Sequence, residues 1–583
     1  MTGGSLFVLA AVQLLLTAAP GVASALFAAR LGVRRVPVLI GIGLAGSGAG
    51  ALLAFWVYYL APGLGAYCAY LLFFGSIALA VWSWPALRAE RGLLRELSVP
   101  LALWALGSLF IVFFGFLHGG TELALETGGA RFSAHPSQMA SDNFIPWFFA
   151  NWVFEGSPGS APIFEPGWHF SDRPPLQVGY ILSQRTFGWD PGSLHAELIG
   201  IVTQQLWIFG LWAVLAAVRA PGRTRALVMI AALVSDVAIV HSFYVWPKLL
   251  AASFALAGLA LVLDRDGQGL RREPWTMVLF GVLFALSYLS HGSTVFVLLP
   301  VLALALLRGL PSWRWLAAAV AAALVLVLPW SAFQRYEDPP GNRVVKWSLA
   351  GVVEIDDRGT TEAVADAYRE AGVGGSLENK LHNFWTMVGG GPVGDSEDLG
   401  WFSNAFDDSA DAVSEAAGGH FGEAASEVRQ SRFTHLLWTF GLLILALPAI
   451  AVGALRGRVR AGPDWQLARV CAFVVALGAV VWGLVMFGNP PAQAIVHVGS
   501  LALPLLGVAG LIGGLRATCP RWAEWLVGAN VATVLLIYLQ PLQPLPGTSY
   551  EAFNAVAAVA CLVGFALVAL GARTQQPSIT SPS

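Results

Sequence analysis

The stretch SDNFIPWFFANWVFEGSPGSAPIFEPGWHFSDRPPL, residues 141–176, decides how this chain is read. It is too aromatic for a solvated loop and too interrupted by Pro, Gly and charge to cross a membrane. Ser141-Asp142-Asn143-Phe144 opens it and Ser171-Asp172-Arg173-Pro174-Pro175-Leu176 closes it. Between them lie Trp147, Phe148, Phe149, Trp152 and Phe154, a spacing that predicts an amphipathic helix lying in a lipid interface. A site at a membrane surface is the expectation.

The flanks on both sides are apolar. With 56% hydrophobic and 12% charged residues, against roughly 25% charged in an ordinary soluble domain, most of the chain must be dissolved in lipid. Apolar runs of about 20 residues, the length that crosses ~30 Å of hydrocarbon, fall near 5–29, 36–60, 64–86, 99–117, 196–218, 226–245, 247–263, 275–290, 292–307, 315–333, 433–455, 466–487, 493–514, 524–540 and 552–571. The expected fold class is an all-α polytopic membrane protein with about 15 transmembrane helices. The first run lacks a preceding basic residue and continues to Ala29, so it reads as a membrane helix and not as a signal peptide. Cys68, Cys471, Cys519 and Cys561 fall in spans or a short loop, which leaves no disulfide framework and no cysteine metal cluster.

Arginine gives the chain a sidedness. Arg30/Arg34/Arg35, Arg88/Arg91/Arg95, Arg219/Arg223/Arg225, Arg265/Arg271/Arg272, Arg308/Arg314, Arg456/Arg458/Arg460 and Arg516/Arg521 occupy every second connection, the positive-inside pattern. Those connections are expected to be cytoplasmic. The N-terminus and the loops 118–195 and 334–432 then face the extracytoplasmic side of the cell inner (plasma) membrane. All ten histidines fall on that side or at the span ends facing it, where an imidazole can exchange protons near neutral pH.

The second loop holds 18 Asp and Glu against 8 Lys and Arg, with helix-like pieces at 361–371 and 410–430. It reads as a small acidic helical subdomain. Asp395, Glu397, Asp398, Asp407, Asp408 and Asp411 offer oxygens to a divalent cation, but without the ligand spacing and central Gly of an EF-hand loop, so a solvated acidic face is the preferred reading.

From residue 99 onward the order of parts is a span, a long outer loop with an acid near an aromatic helix, six more spans and a second large outer loop. This resembles the conserved module of the GT-C glycosyltransferases, membrane enzymes that use polyprenyl-phosphate sugars, among them the protein O-mannosyltransferases, the lipid A aminoarabinose transferase and the mycobacterial arabinosyltransferases. Asp172-Arg173-Pro174-Pro175-Leu176 also looks like the Lys-Pro-Pro-Leu or His-Pro-Pro element in the first outer loop of the first two. The resemblance covers about residues 99–432 and lies more in architecture than in letters. Two departures stand out: Asp142 is followed by Asn143 where several relatives carry a second acid, and three spans precede the module. The resemblance implies an N-terminal segment 1–98 of three extra helices, a seven-helix module 99–333 with its first outer loop at 118–195, the acidic subdomain 334–432, and C-terminal helices with a short tail in 433–583. It also implies transfer of a sugar from a polyprenyl-phosphate donor to an extracytoplasmic glycan, lipid or protein. The expected partners are membrane lipids, the lipid-linked sugar and that acceptor, with no nucleic acid.

Such a transfer needs a base for the acceptor proton and cations for the departing phosphate. The candidate catalytic carboxylates are Asp142 and Asp172. Ser141, Asp142 or Asn143 equally suits the cap of the aromatic helix, with Pro146 in its first turn. Arg173 precedes Pro174 and is pushed toward an extended backbone, so the segment can hold side chains still. Arg173, Lys248, His241, His291, Arg335 and His497 are the candidate substrate and phosphate ligands, Lys248 because an ammonium among aromatic and Pro residues suits a phosphate. Asp236, inside an apolar span, costs roughly 2.5–3.5 kcal/mol on insertion scales and must face protein or water. It is the feature a proton-coupled transporter would share. A polysaccharide polymerase or ligase of another fold is the other alternative; it calls for an arginine-dominated outer loop, and this one is acidic.

Overall fold

The computed structural model describes residues 3–125, 143–157, 159, 168–187, 192–309, 311–352, 356–390, 404–488, 500–539 and 550–571. Among them every regular element is helical. Four long helices come first, α1 (Gly3–Arg30), α2 (Val36–Leu60), α3 (Pro62–Arg88) and α4 (Arg91–Gly115). The first large loop contributes α5 (Ile145–Phe154) and α6 (Leu176–Arg185). Then follow α7 (Ser193–Gln204), α8 (Trp207–Ala217), α9 (Gly222–Leu233), α10 (Asp236–Phe243), α11 (Lys248–Leu263), the short α12 (Gln268–Arg272), α13 (Pro274–Ser290), α14 (Val295–Leu307) and α15 (Trp313–Tyr336). The second loop folds into α16 (Arg343–Ala350), α17 (Thr360–Val388), α18 (Ala405–Ala417) and α19 (Phe421–Thr434). A 3-10 segment (Trp438–Leu445), α20 (Ala446–Leu455), α21 (Pro463–Val485), α22 (Ala502–Thr518), α23 (Pro520–Leu539) and α24 (Ala552–Gly571) complete it.

Ten of these helices, counting α7–α8 as one and the 3-10 segment with α20 as one, are long and apolar enough to cross a membrane, and the bent pair α9–α10 makes an eleventh. This is a polytopic all-α membrane protein. The remaining predicted spans coincide with shorter apolar helices: α11, α13, α14 with the turn before it, and α22.

Burial sorts the helices. Every residue of α11 is buried, because α2, α8, α13 and α14 all pack around it. By contrast α3 and α15 are buried over only 11% and 17% of their apolar windows, so their Leu and Val faces are left for lipid. One continuous apolar core runs from Leu6 in α1 to Ala569 in α24. The N-terminal helices share it: α2 packs against α6, α8, α11 and α13 in the middle of the protein.

Ion pairs gather the arginine-bearing connections at one end of the bundle. Arg35 meets Asp264 at 2.5 Å and also pairs with Glu273, and Arg34 pairs with Glu90. Arg225 lies 3.9 Å from Glu96, while Arg223 and Arg516 share Glu524. The two large loops belong to the opposite end.

The aromatic helix forms over 145–154 as its spacing predicts, but its buried face docks on protein. Phe149 stacks on Phe170 at 4.5 Å and meets Phe55 and Trp330 edge-on or tilted, while Phe148 and Phe154 stay exposed. Its cap position is held by Phe144, with no side-chain cap bond, and Asn143 instead donates to the carbonyl of Leu125 at 2.9 Å. Asn143 therefore does not cap the helix, and Ser141 and Asp142, the other two cap candidates, lie outside the described residues.

Candidate functional site

The two loops meet at a short turn. Phe170–Asp172 forms one 3-10 turn, closed by His169 N–H donating to Asp172 Oδ2 at 2.9 Å. Arg173 follows in extended conformation (φ −120°, ψ 112°), as a residue before Pro must. From the second loop Asp338 reaches across. It accepts from Ser171 N–H at 2.7 Å and lies 2.8 Å from His169 Nδ1, while its own carbonyl accepts from Ser171 Oγ at 2.8 Å. Gln334 Nε2 donates to Ser171 O at 2.8 Å. Arg343, at the start of α16, places Nη1 3.6 Å from Asp172 Oδ2, and both side chains are almost completely buried.

Two tryptophans organise the cations. Trp168 has the guanidinium of Arg173 over its ring at 4.4 Å and that of Arg343 at 4.3 Å. Trp246 has Lys248 Nζ at 3.8 Å, Arg173 at 5.7 Å and the His291 ring edge-on at 5.7 Å. Cations over indole faces are stabilised by the ring quadrupole, more so when desolvated. Lys248 acts electrostatically on both His241 and His291, and Arg173 acts on His291. Arg173, Lys248 and His291 thus come together around Trp246, with His241 within electrostatic reach of Lys248.

The α10–α11 connection that presents Trp246 and Lys248 is strained. Val245 sits at φ 52°, a left-handed conformation that a β-branched side chain rarely adopts. The carbonyl of Val245 accepts from Gln177 Nε2 at 2.9 Å, which ties this connection to α6, just beyond Pro174-Pro175. Strain of this kind costs of order 1–3 kcal/mol and persists only where the surroundings over-determine it.

Protonation follows from these contacts. Nδ1 of His291 accepts from Ser293 N–H at 3.2 Å, so the neutral ring carries its proton on Nε2 as a donor. Burial first, then the charges of Lys248 and Arg173, push the His291 imidazole well below its ordinary value. His169 is moved the other way, chiefly by its hydrogen bond to Asp338. Burial alone would raise Asp338, but hydrogen bonds from His169 and Ser171 outweigh it and leave the carboxyl below its ordinary value. Burial raises Asp172 despite the His169 N–H, Arg173 and Arg343.

The remaining candidates fall elsewhere. Asp142 and His497 lie outside the described residues. Arg335 is exposed in the last turn of α15. Asp236, which the sequence leaves almost without a partner, meets Arg432 of α19 at 3.3 Å. Of the acidic run, Asp395, Glu397 and Asp398 lie outside the described residues; Asp407 and Asp411 are exposed on α18, and Asp408 is buried against Ser431. Glu415, His420 and Glu423 bring possible metal-ligand atoms within 4.8 Å of one another, a largely exposed grouping in which His420 Nδ1 lies 2.8 Å from Glu415 Oε2.

Sequence reasoning passed over Trp168, His169, Asp338 and Arg343 as members of the site. One signal was present: Asp338 stands before Pro339-Pro340 much as Asp172 stands one residue ahead of Pro174-Pro175. Comparison with models of protein families, with curated proteins and with solved structures finds no match for this chain.

Proposed function

We propose that this chain is a membrane glycosyltransferase of the GT-C kind, moving a sugar from a polyprenyl-phosphate donor to an extracytoplasmic glycan, lipid or protein. The reading takes the fifteen apolar segments as spans, the arginine-bearing end as cytoplasmic, and the two large loops as the catalytic face. One observation carries it: Arg173, Lys248 and His291 converge on Trp246, with His241 within electrostatic reach of Lys248, at the end of the bundle where a lipid-linked phosphate would present its headgroup.

In this reading the acceptor hydroxyl attacks the anomeric carbon, and the bond from that carbon to the phosphate oxygen breaks with its electrons going to the phosphate. Lys248 and Arg173 offset the charge that develops there. The Nε2–H of His291 donates to a phosphate oxygen. Asp172, held by Arg343 and the His169 N–H, fixes the loop. The proton goes to Asp142 or to His169. Asp338 orients His169 at Nδ1, and its Nε2 is buried with no hydrogen-bond partner among the described residues. A carboxylate behind an imidazole sets its tautomer and stabilises the imidazolium that forms. Against proton-coupled transport stands the fixed pairing of Asp236 with Arg432.

The test is single-turnover transfer by purified protein in nanodiscs, using a panel of radiolabelled polyprenyl-phosphate sugars. Asp142→Asn and His169→Gln are compared with the parent. Loss of the base lowers transfer by roughly 10²–10⁴, so one variant is expected to fall by that factor. No transfer from any polyprenyl-phosphate sugar by the parent would overturn the reading.

A further inference from the structure

The C-terminal helices enclose a groove that has no part in the site above. Its volume is about 430 Å³ and its floor is α22. The 3-10 segment with α20 forms one wall and α21 the other, each packed on α22. Glycines let both walls come down onto that floor. A Cβ at Gly507 would sit 2.4 Å from the Phe440 ring, one at Gly514 2.5 Å from Ile450, and one at Gly510 2.9 Å from Cys471 Cβ. The helices therefore touch at their bases and diverge above, leaving an open slot.

The slot runs along α21 from Trp465 to Ala479, about 21 Å at 1.5 Å per residue. That is longer than one leaflet of a ~30 Å hydrocarbon core, so an extended chain standing upright fits it. Its lining is apolar except at one end. There Arg469 lies one turn after Trp465 on the same face of α21, about 9 Å beyond the helix start at Pro463. Arg469 is exposed, and no ion pair joins it to a described residue. Among the described residues it is the single charged one lining the groove, at the end of the bundle that carries Arg456, Arg458 and Arg460. An arginine at that depth snorkels toward the interface and meets lipid phosphate, and a tryptophan one turn further out is the side chain that favours the headgroup level.

We infer that this groove binds one anionic phospholipid, an acyl chain along Ala472, Ala476 and the α22 glycines and the headgroup phosphate on Arg469. The experiment is native mass spectrometry of the full chain, released from detergent after exposure to equal amounts of phosphatidylglycerol and phosphatidylcholine. The parent is expected to retain one phosphatidylglycerol in preference. Arg469→Gln should lose that preference by about fivefold, the share of one arginine at an anionic surface, while Arg469→Lys keeps most of it. Ala476→Phe, which fills the slot with a ring, should lower retention of both lipids. Equal retention of the two lipids by the parent, an unchanged preference in Arg469→Gln, or a stable dimer burying the groove would each overturn the inference.

Discussion

Two clusters of buried charge tie the large loops to the membrane helices, and they are composed differently. Around Asp236 the described residues include Arg432 and Arg429 against Asp236 and Asp408, with Ser431 donating to Asp408 at 2.7 Å and Tyr538 beside Asp236. Among these described residues, charges of opposite sign are equal in number. Around Trp168 and Trp246 the described residues include Arg173, Arg343 and Lys248 against Asp172 and Asp338, with three histidines and two indole faces in addition. A matched network stabilises mainly itself, since breaking it strands a buried charge. In the proposed reading, the second group, with cations on aromatic walls and a strained connection, receives an anion.

The largest expected effect is on the matched network. Arg432→Ala should destabilise the protein by about 3–5 kcal/mol, because Asp236 is then buried without its partner. Donor binding per folded molecule should stay as it was. Thermal unfolding in nanodiscs alongside a binding titration checks both halves. A variant as stable as the parent would break the contrast from this side.

Next in size is the cation-rich cluster. Lys248→Ala should weaken binding of a polyprenyl phosphate by about 2–3 kcal/mol, the low end of the cost of truncating one member of a buried charged contact. Stability should change by less than in Arg432→Ala. A melting temperature that falls as far as that of Arg432→Ala, with binding intact, would make Lys248 structural.

A third prediction concerns pH. His169 has a raised value in the folded state, so its contribution to holding the loops together is fully present below the ordinary value of about 6.5 and is lost as pH rises through the folded value. Asp338 is depressed, so its contribution is present above the ordinary carboxylate range and is lost as pH falls through the folded value. The latch between the loops is therefore firmest between those limits. If His169 accepts the proton it must first be neutral, so transfer should climb with pH through a value above 6.5. Asp338→Asn removes the main cause of the raised value, and the climb should move to lower pH. A pH–rate profile that Asp338→Asn leaves in place would remove His169 as the proton acceptor.

The smallest effect is expected at Arg335. It is exposed on the last turn of α15, and a surface charge contributes roughly 0–1 kcal/mol. Arg335→Gln should therefore change donor affinity by less than about fivefold. A larger loss would mean that the binding region extends beyond the two tryptophans.

Much of this architecture is legible in the sequence because it is written locally. Apolar runs mark the helices one by one, and the arginines that share a side in the sequence do share an end of the bundle, joined through Glu90, Glu96, Glu273 and Glu524. The extended backbone of Arg173 follows from Pro174 alone. The partners of the site are not local. Ser171 and Asp338 stand 167 residues apart and Asp236 and Arg432 196 apart, and nothing in the composition of either segment names the other. The aromatic helix shows the same limit. Its period says that Phe149 faces something apolar, but not that this is Phe55 and Phe170 and not lipid.

The central claim is that the cations around Trp246 receive a lipid-linked phosphate. The most direct measurement titrates undecaprenyl phosphate, and undecaprenol as the neutral control, against the parent and Lys248→Ala in nanodiscs of neutral lipid. The account predicts that the parent binds the phosphate at least tenfold more tightly than the alcohol, and that Lys248→Ala loses most of the difference, as expected when a buried charged contact is truncated. Equal affinity for phosphate and alcohol, or a preference that survives Lys248→Ala in full, would contradict it.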